Sequence, residues 1–282
     1  MASRIIVVGN QSGADAPTLT AALACAAPGD TVVVSPGVYE ETVHLGVDVT
    51  VMSASPADDE AEEGSSGEVV RATVRGPIVV SANARLENME VHGMVSVRKG
   101  HATLERCEIH HGTDGVRAYA GTTVEVRSCR IHDCAAGGDG VYFMSGAAGV
   151  VSDTDVYDCR VHGVHVRGSS VALQGNRIRD CTFGIYYEMS ASGSCEGNTV
   201  EHARRFGIVV ADASSPSVTR NSVRECGLLC LYVSSGGTGF CSQNTFDGSV
   251  HILSNCPIQL SGNRISGMAD VDPADVGEIA AI

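Results

Sequence analysis

The chain reads as an all-β protein: a single parallel β-helix, or solenoid, of about ten coils stacked along one axis. Three columns of residues predict it. Met89, Cys107, Cys129, Thr154, Asn176, Asn198, Asn221, Asn244 and Asn263 recur at spacings of 18, 22, 25, 22, 22, 23, 23 and 19 residues. Two residues after each stands an apolar side chain: Val91, Ile109, Ile131, Val156, Ile178, Val200, Val223, Phe246 and Ile265. Three residues before each stands another: Leu86, Leu104, Val126, Val151, Leu173, Cys195, Val218, Cys241 and Leu260. Units of this size cannot bury a core alone, so they stack and share one.

In chain order, the first element is a helix over residues 18–27. Leu19, Ala22, Leu23 and Ala26 fit the amphipathic i, i+3, i+4, i+7 template. Thr18 supplies an N-cap, and Pro28-Gly29-Asp30 ends the helix. A helix placed there covers the open end of a solenoid, where strand edges and core would otherwise meet water. Residues 56–68 hold six acidic side chains (Asp58, Asp59, Glu60, Glu62, Glu63, Glu68) and no basic one. They predict a solvated loop.

From Met89 onward each coil is expected to carry two strands. The first is the Leu-x-x-Asn/Cys-x-Ile segment. The second follows a glycine, as in Gly115-Val116-Arg117-Ala118, Gly140-Val141-Tyr142-Phe143, Gly163-Val164-His165-Val166, Gly184-Ile185-Tyr186-Tyr187 and Gly207-Ile208-Val209-Val210. Alternation along a strand turns the aliphatic positions inward, and the glycine is expected to provide a positive-φ corner. The asparagines from Asn176 to Asn263 predict a buried amide ladder. Cys134, Cys159, Cys181, Ala203 and Cys226 predict a bend with small side chains inside. The β-helix domain spans residues 1–271. Asp272-Pro273 then reads as the N-cap and first position of a short helix reaching Ile279, within a tail over 272–282.

Composition narrows the function. With aromatics at 4% and no Trp, the core must be built from small aliphatic side chains. A net charge of −14 and a single lysine, Lys99, oppose nucleic-acid binding. No apolar run approaches the length of a membrane span, so no membrane partner is expected. Eight of the eleven cysteines fall in repeat columns, where they act as small hydrophobes. Reduced thiols and a cytoplasmic setting follow as expectations.

The segment from Thr18 to Glu41 resembles the opening of right-handed parallel β-helix proteins of the pectin-lyase-like superfamily. The likeness lies in the capping helix, the Pro28-Gly29-Asp30-Thr31-Val32 turn and the Pro36-Gly37-Val38-Tyr39 turn. It covers essentially the whole chain and implies a right-handed solenoid. It is poor for activity, because that superfamily holds lyases, hydrolases, epimerases and non-enzymatic repeats alike. The Gly-Val/Ile-x-Val and Asn-x-Ile-x-x-Cys rhythm looks most like the intracellular, non-enzymatic β-helix regions of F-box and SHC-binding type proteins. That resemblance implies protein partners.

Three groups of residues are candidates for chemistry or recognition. The outward positions of the post-glycine strands form a stripe: Val95, Arg117, Tyr142, His165, Tyr186, Val209, Tyr232 and His251. Rigid amphipathic tyrosines suit protein and glycan interfaces, although aromatics also stack on any parallel sheet. Asp114 and Asp139 precede the strand glycines of adjacent coils, near Arg117, Tyr142, His162 and His165. One rung is about 5 Å, close to the carboxyl separation of a retaining glycosidase, and an arginine there would also suit proton abstraction from a uronic acid. Against this, Asp-Gly is a common turn dipeptide. Finally, His92, His110 and His132 share a column, with His111 and Asp133 beside it; three imidazoles suit a transition metal, but parallel side chains converge poorly. In the next column Asp133, Asp158, Asp180 and Glu225 read as turn caps.

The repeat leaves little room for the long insertions that wall a glycan groove. The sequence therefore favours a non-enzymatic scaffold, without cofactor or metal, that binds protein partners in a larger assembly; a cytoskeletal or ciliary placement does not follow from the residues. Its contact residues would be Arg117, Tyr142, His165, Tyr186, Tyr232 and His251. The alternative is a polysaccharide lyase, glycoside hydrolase or epimerase using Asp114, Asp139 and Arg117.

Overall fold

The computed structural model describes residues 3–54, 71–135, 137–270 and 279–281. The acidic segment 56–68 and most of the C-terminal tail lie outside them. Within them the chain winds into a parallel β-helix with three faces. One coil shows the plan: Ser170–Gln174 lies on the first face, Arg177–Arg179 on the second and Phe183–Glu188 on the third. Each strand pairs in parallel with its equivalents in the coils before and after. Leu173 stacks between Val151 and Cys195, Ile178 between Val156 and Val200, and Ile185 between Val164 and Ile208. The first face alone is a sheet of twelve strands, beginning at Ile5–Val8.

Three strands per coil replace the two expected, because the Leu-x-x-Asn-x-Ile segment bends in its middle. In all nine coils the residue before the alignment position, from Asn88 to Gly262, has φ between +50° and +65°. Six of these are not glycine, although the left-handed conformation is unfavourable for L-residues. Its strain is offset because the corner N–H still donates to the next coil: Arg106 to Arg127 O, Asp153 to Gln174 O, Gly197 to Thr219 O. A hydrophobicity pattern does not register such a corner.

The strand glycines also serve a purpose other than the one expected. Gly115, Gly140, Gly163, Gly184 and Gly207 have no positive φ. What they supply is space. A Cβ on Gly163 would meet Ile178 Cγ2 at 2.3 Å and Gly184 O at 2.8 Å, and the other four are equally tight.

The asparagine ladder forms as expected. Each Nδ2 from Asn176 to Asn244 donates to the next Oδ1 at 2.9–3.0 Å, and each Oδ1 from Asn198 to Asn263 also accepts the backbone N–H of the asparagine before it. All five are buried. The capping helix runs Leu19–Cys25, with Thr18 Oγ1 accepting from Ala21 N and Leu19 and Ala22 buried. Glu41 accepts the N–H groups of Leu19 and Thr20, tying the helix start to the first coil. At the other end Ile279–Ala281 is a strand paired with Asn263–Ile265, where a helix end had been expected. The eleven cysteines stand as free thiols, nine of them buried in the core.

Candidate functional site

The stripe on the third face is in register. Arg117, Tyr142, His165, Tyr186, Val209, Tyr232 and His251 pair in succession along the strands. Its predicted first member is corrected: Val95 faces the core, and the residue paired with Arg117 is Ser96. The earlier coil has no glycine-led strand, which shifted the reading by one residue and so to the opposite face.

The structure divides the stripe in two. Arg117, Tyr142, His165 and Tyr186 come together around Asp139. Tyr232 and His251 stand beyond Val209, where Tyr232 stacks on Phe206 and His251 Nδ1 meets Asp270 Oδ2 at 2.8 Å. Among the described residues, only the first group carries a polar network of several members.

Asp139 is the centre of that network. It sits at the turn before its strand, 6% exposed, and both of its oxygens are engaged. Oδ1 accepts the backbone N–H of His162 at 3.1 Å and faces His162 Nδ1 at 2.7 Å; Oδ2 faces His165 Nδ1 at 3.0 Å. Burial alone would raise its pKa, but the hydrogen bonds and charges of His162 and His165 outweigh that and bring it down to about 2. The far nitrogen of His165, Nε2, lies 3.2 Å from Glu188 Oε1. A neutral imidazole donates to one of two carboxylates only, so gain or loss of one proton rearranges this network.

Aromatic and cationic side chains frame it. The Tyr142 ring stacks on His165 at 4.6 Å, Tyr186 lies 4.9 Å from His162, and Arg117 reaches over Tyr142 at 5.7 Å. Arg167 is 3.2 Å from Glu188 Oε1 and donates to the Tyr142 hydroxyl at 3.4 Å. Glu188 and Arg167 were missed by sequence reading. They are register partners, two residues beyond Tyr186 and His165, so extending the alternation by one more outward position finds both.

The predicted carboxylate pair has another arrangement. Asp114 is 1% exposed; its Oδ1 accepts the N–H of Asp139 at 3.0 Å and its Oδ2 accepts from Arg117 Nε at 2.5 Å. With every oxygen of both residues committed and Asp114 buried, the two carboxylates do not flank a bond as a glycosidase pair must. Asp139, His162 and His165 each place a ligand atom within 4.8 Å of the others, and both Asp139 oxygens there already face an imidazole nitrogen.

The predicted histidine column stacks as expected on the second face, His110 over His92 and under His132 at 5.1 Å each. Its membership as a metal group is corrected. His132 turns its nitrogens to Glu108 and Asp133, at 3.1 and 2.8 Å, and the imidazole that converges with His92 and His110 is His111. Burial tends to lower the His132 pKa, but those carboxylates hold it raised. In the acidic column Asp133, Asp158, Asp180 and Glu225 all occupy left-handed corners, with φ of +52° to +57°; aspartate, with its short polar side chain, tolerates this conformation better than most.

Solved structures share the fold across nearly all of the chain. The pectate lyase Pel9A superposes with a TM-score of 0.63 at 13% identity, covering 99% of this chain and 80% of that one. The Dettilon tailspike protein (gp208) superposes with a TM-score of 0.50 at 16% identity, covering 98% of this chain and 68% of that one. No curated protein sequence matches the chain. The expectation of a non-enzymatic protein is corrected by the first of these structures. A β-helix that superposes over 99% of this chain is the frame of a pectate lyase, so a stack of coils does not by itself mark a scaffold. The sequence model of the right handed beta helix region matches residues 78–170 and 135–265, and the chain belongs to the right-handed β-helix family.

Proposed function

We propose that the protein is a carbohydrate-active enzyme that acts on a uronate-bearing polysaccharide by abstracting a proton beside the sugar carboxylate. β-Elimination (a lyase) and epimerisation share that first step. The observation that carries this reading is the Asp139–His165–Glu188 network with Tyr142 stacked on His165. A buried carboxylate orients the imidazole, and the side chains with movable protons are His165, itself nearly buried, and the half-buried Tyr142 stacked on it. Proton transfer by positioned His or Tyr side chains is the usual means of such a step.

Arg117 and Arg167 flank Tyr142 from the coils on either side. Guanidinium groups suit a substrate carboxylate, which they bind through paired N–H donors. The aromatic faces of Tyr142 and Tyr186 give a sugar ring apolar area to lie against. The commitment of Asp114 and Asp139 argues for proton abstraction over glycoside hydrolysis. Likeness to the pectate lyase supports the substrate class. The finer resemblance to F-box and SHC-binding type regions would make the same stripe a docking face for protein, but the stripe's inner members bond chiefly to one another.

The test is incubation with polygalacturonate, alginate and neutral glucans. Turnover is followed by the ultraviolet absorbance of unsaturated uronides, by reducing ends and by proton exchange into the polymer. Unsaturated product or exchange on a uronate polymer, lost in His165→Asn, is expected. Activity on neutral glucans alone, or uronate turnover indifferent to His165→Asn, overturns the proposal.

A further inference from the structure

We propose a second site on the second face: a divalent transition-metal centre of the zinc and copper type, held by His92, His110 and His111, with its remaining position open. His92 and His110 are register partners in successive coils, and the register partner of His111 is Gly93. Neighbouring residues on a strand ordinarily point to opposite sides. Here His111 is a corner residue with φ +59°, which brings its ring back beside that of its neighbour, 4.7 Å from His110 and 4.6 Å from His92. No side chain from Gly93 competes for the space below. One nitrogen from each of the three imidazoles lies within 4.8 Å of the others.

Two contacts give this convergence the character of a ligand set. His110 Nδ1 and His111 Nδ1 face each other at 2.5 Å. The other nitrogen of His110, Nε2, lies 3.1 Å from Glu90 Oε1, and Glu90 Oε2 in turn accepts from the Thr73 hydroxyl at 2.8 Å. A carboxylate on the far nitrogen fixes the tautomer and orients a metal-binding histidine. It also leaves the lone pair of neutral His110 on Nδ1, pointing at His111. That lone pair is met by the N–H of the His111 Nδ1 tautomer, and in a metal-bound state a cation takes the place of that proton as the two rings part. Tetrahedral zinc with Zn–N near 2.0–2.1 Å sets ligand nitrogens about 3.4 Å apart, within reach of small rotations of the exposed His92 and His111 rings about the more buried His110. Arg75, the cation beside His92 in the preceding coil, is turned to Glu40 at 3.5 Å. All-imidazole sets suit zinc, copper and nickel rather than calcium or magnesium.

The experiment titrates the tag-free, chelator-stripped protein with zinc chloride by calorimetry and with copper(II) by visible absorbance. One ion per chain is expected, with affinity falling at least tenfold in His92→Ala and in His111→Ala, and about tenfold in Glu90→Gln, as loss of a carboxylate behind a ligand does. Circular dichroism confirms that these exposed-site variants keep their fold. His132→Ala should leave affinity unchanged. Zinc affinity indifferent to His92→Ala and His111→Ala overturns the site, as does binding abolished by His162→Ala instead, which would place the ion at Asp139. Uronate turnover is not read in any arm, so this outcome and that of the activity assay stand apart.

Discussion

His165 Nδ1 lies 3.0 Å from Asp139 Oδ2, a carboxylate contributed by the preceding coil. Residues 26 positions apart in the chain thus meet because consecutive coils stack in register. Asp139 accepts from the backbone and ring of His162 as well, so one buried carboxylate holds two imidazoles in place. The first prediction concerns what that does to acid stability. The folded pKa is about 2 against an ordinary 3.8, a difference corresponding to about 2 kcal/mol. Because the folded value is the lower one, the contribution is full above about pH 4 and is lost as the pH falls toward about 2. Urea denaturation of wild type and Asp139→Asn at pH 7, 4 and 2 checks it: the gap between them should narrow at the acid end. A gap that stays constant with pH would exclude this origin.

Activity should depend on the same contact from the other side. His165→Asn keeps one hydrogen-bonding group but no titratable ring, and it is expected to lower kcat on a uronate polymer by about 10²–10⁴-fold. Arg117→Gln, which removes a charge beside Tyr142, should act on KM more than on kcat. Steady-state kinetics on the polymer that wild type turns over separates the two effects.

Asn221 lies in the interior of the amide ladder. It donates to Asn244 and to the Cys195 carbonyl, and accepts from the side chain and backbone of Asn198. Asn221→Ala strands several buried groups at once and is expected to destabilise the protein by about 2–4 kcal/mol. Asn263→Ala, at the ladder's end, should cost less, since among the described residues Asn263 donates only to the Cys241 carbonyl. Equal losses in chemical denaturation would count against the ladder as a cooperative element.

Gly163→Ala should destabilise through crowding, by about 1–3 kcal/mol, since the new methyl meets Ile178 Cγ2 at 2.3 Å. Ile178→Ala in the same chain removes that atom and should recover part of the loss, giving a measurable coupling in a double-mutant cycle. Gly121→Ala is the control. It has open space around it but a φ of +76°, so its smaller penalty comes from the backbone and no neighbouring truncation should relieve it.

The columns on which these predictions rest were legible in the chain before any coordinates. The asparagine ladder, the Leu and Ile columns, the helix after Thr18 and most of the third-face stripe lie where the spacing puts them. What escaped was set by backbone and space rather than by side-chain type. The first-face corner is made by Asn88, Arg106, Ser128 and others of no common chemistry, so no residue column marks it. Gly163 looked like a turn residue because glycine does serve that role, and only the Ile178 methyl against it reveals the other one. At the site, the conjunction of Asp139 with His162 and His165 was visible, but the engagement of Asp114 by Arg117 and the Asp139 N–H was not. The first of these bonds lies within one coil and the second joins a side chain to the next coil's backbone, so neither shows as a column of like residues.

The in-register winding has a consequence for how this molecule can change. His92 and His110 on one face, and Asp139 and His165 on another, are each held by membership of a numbered turn. An insertion or deletion of one whole turn moves every later residue along the axis by about 4.8 Å without disturbing its neighbours. The separation between the two clusters is therefore quantised, and a duplicated or excised repeat between His111 and Asp139 would reset it in a single genetic event.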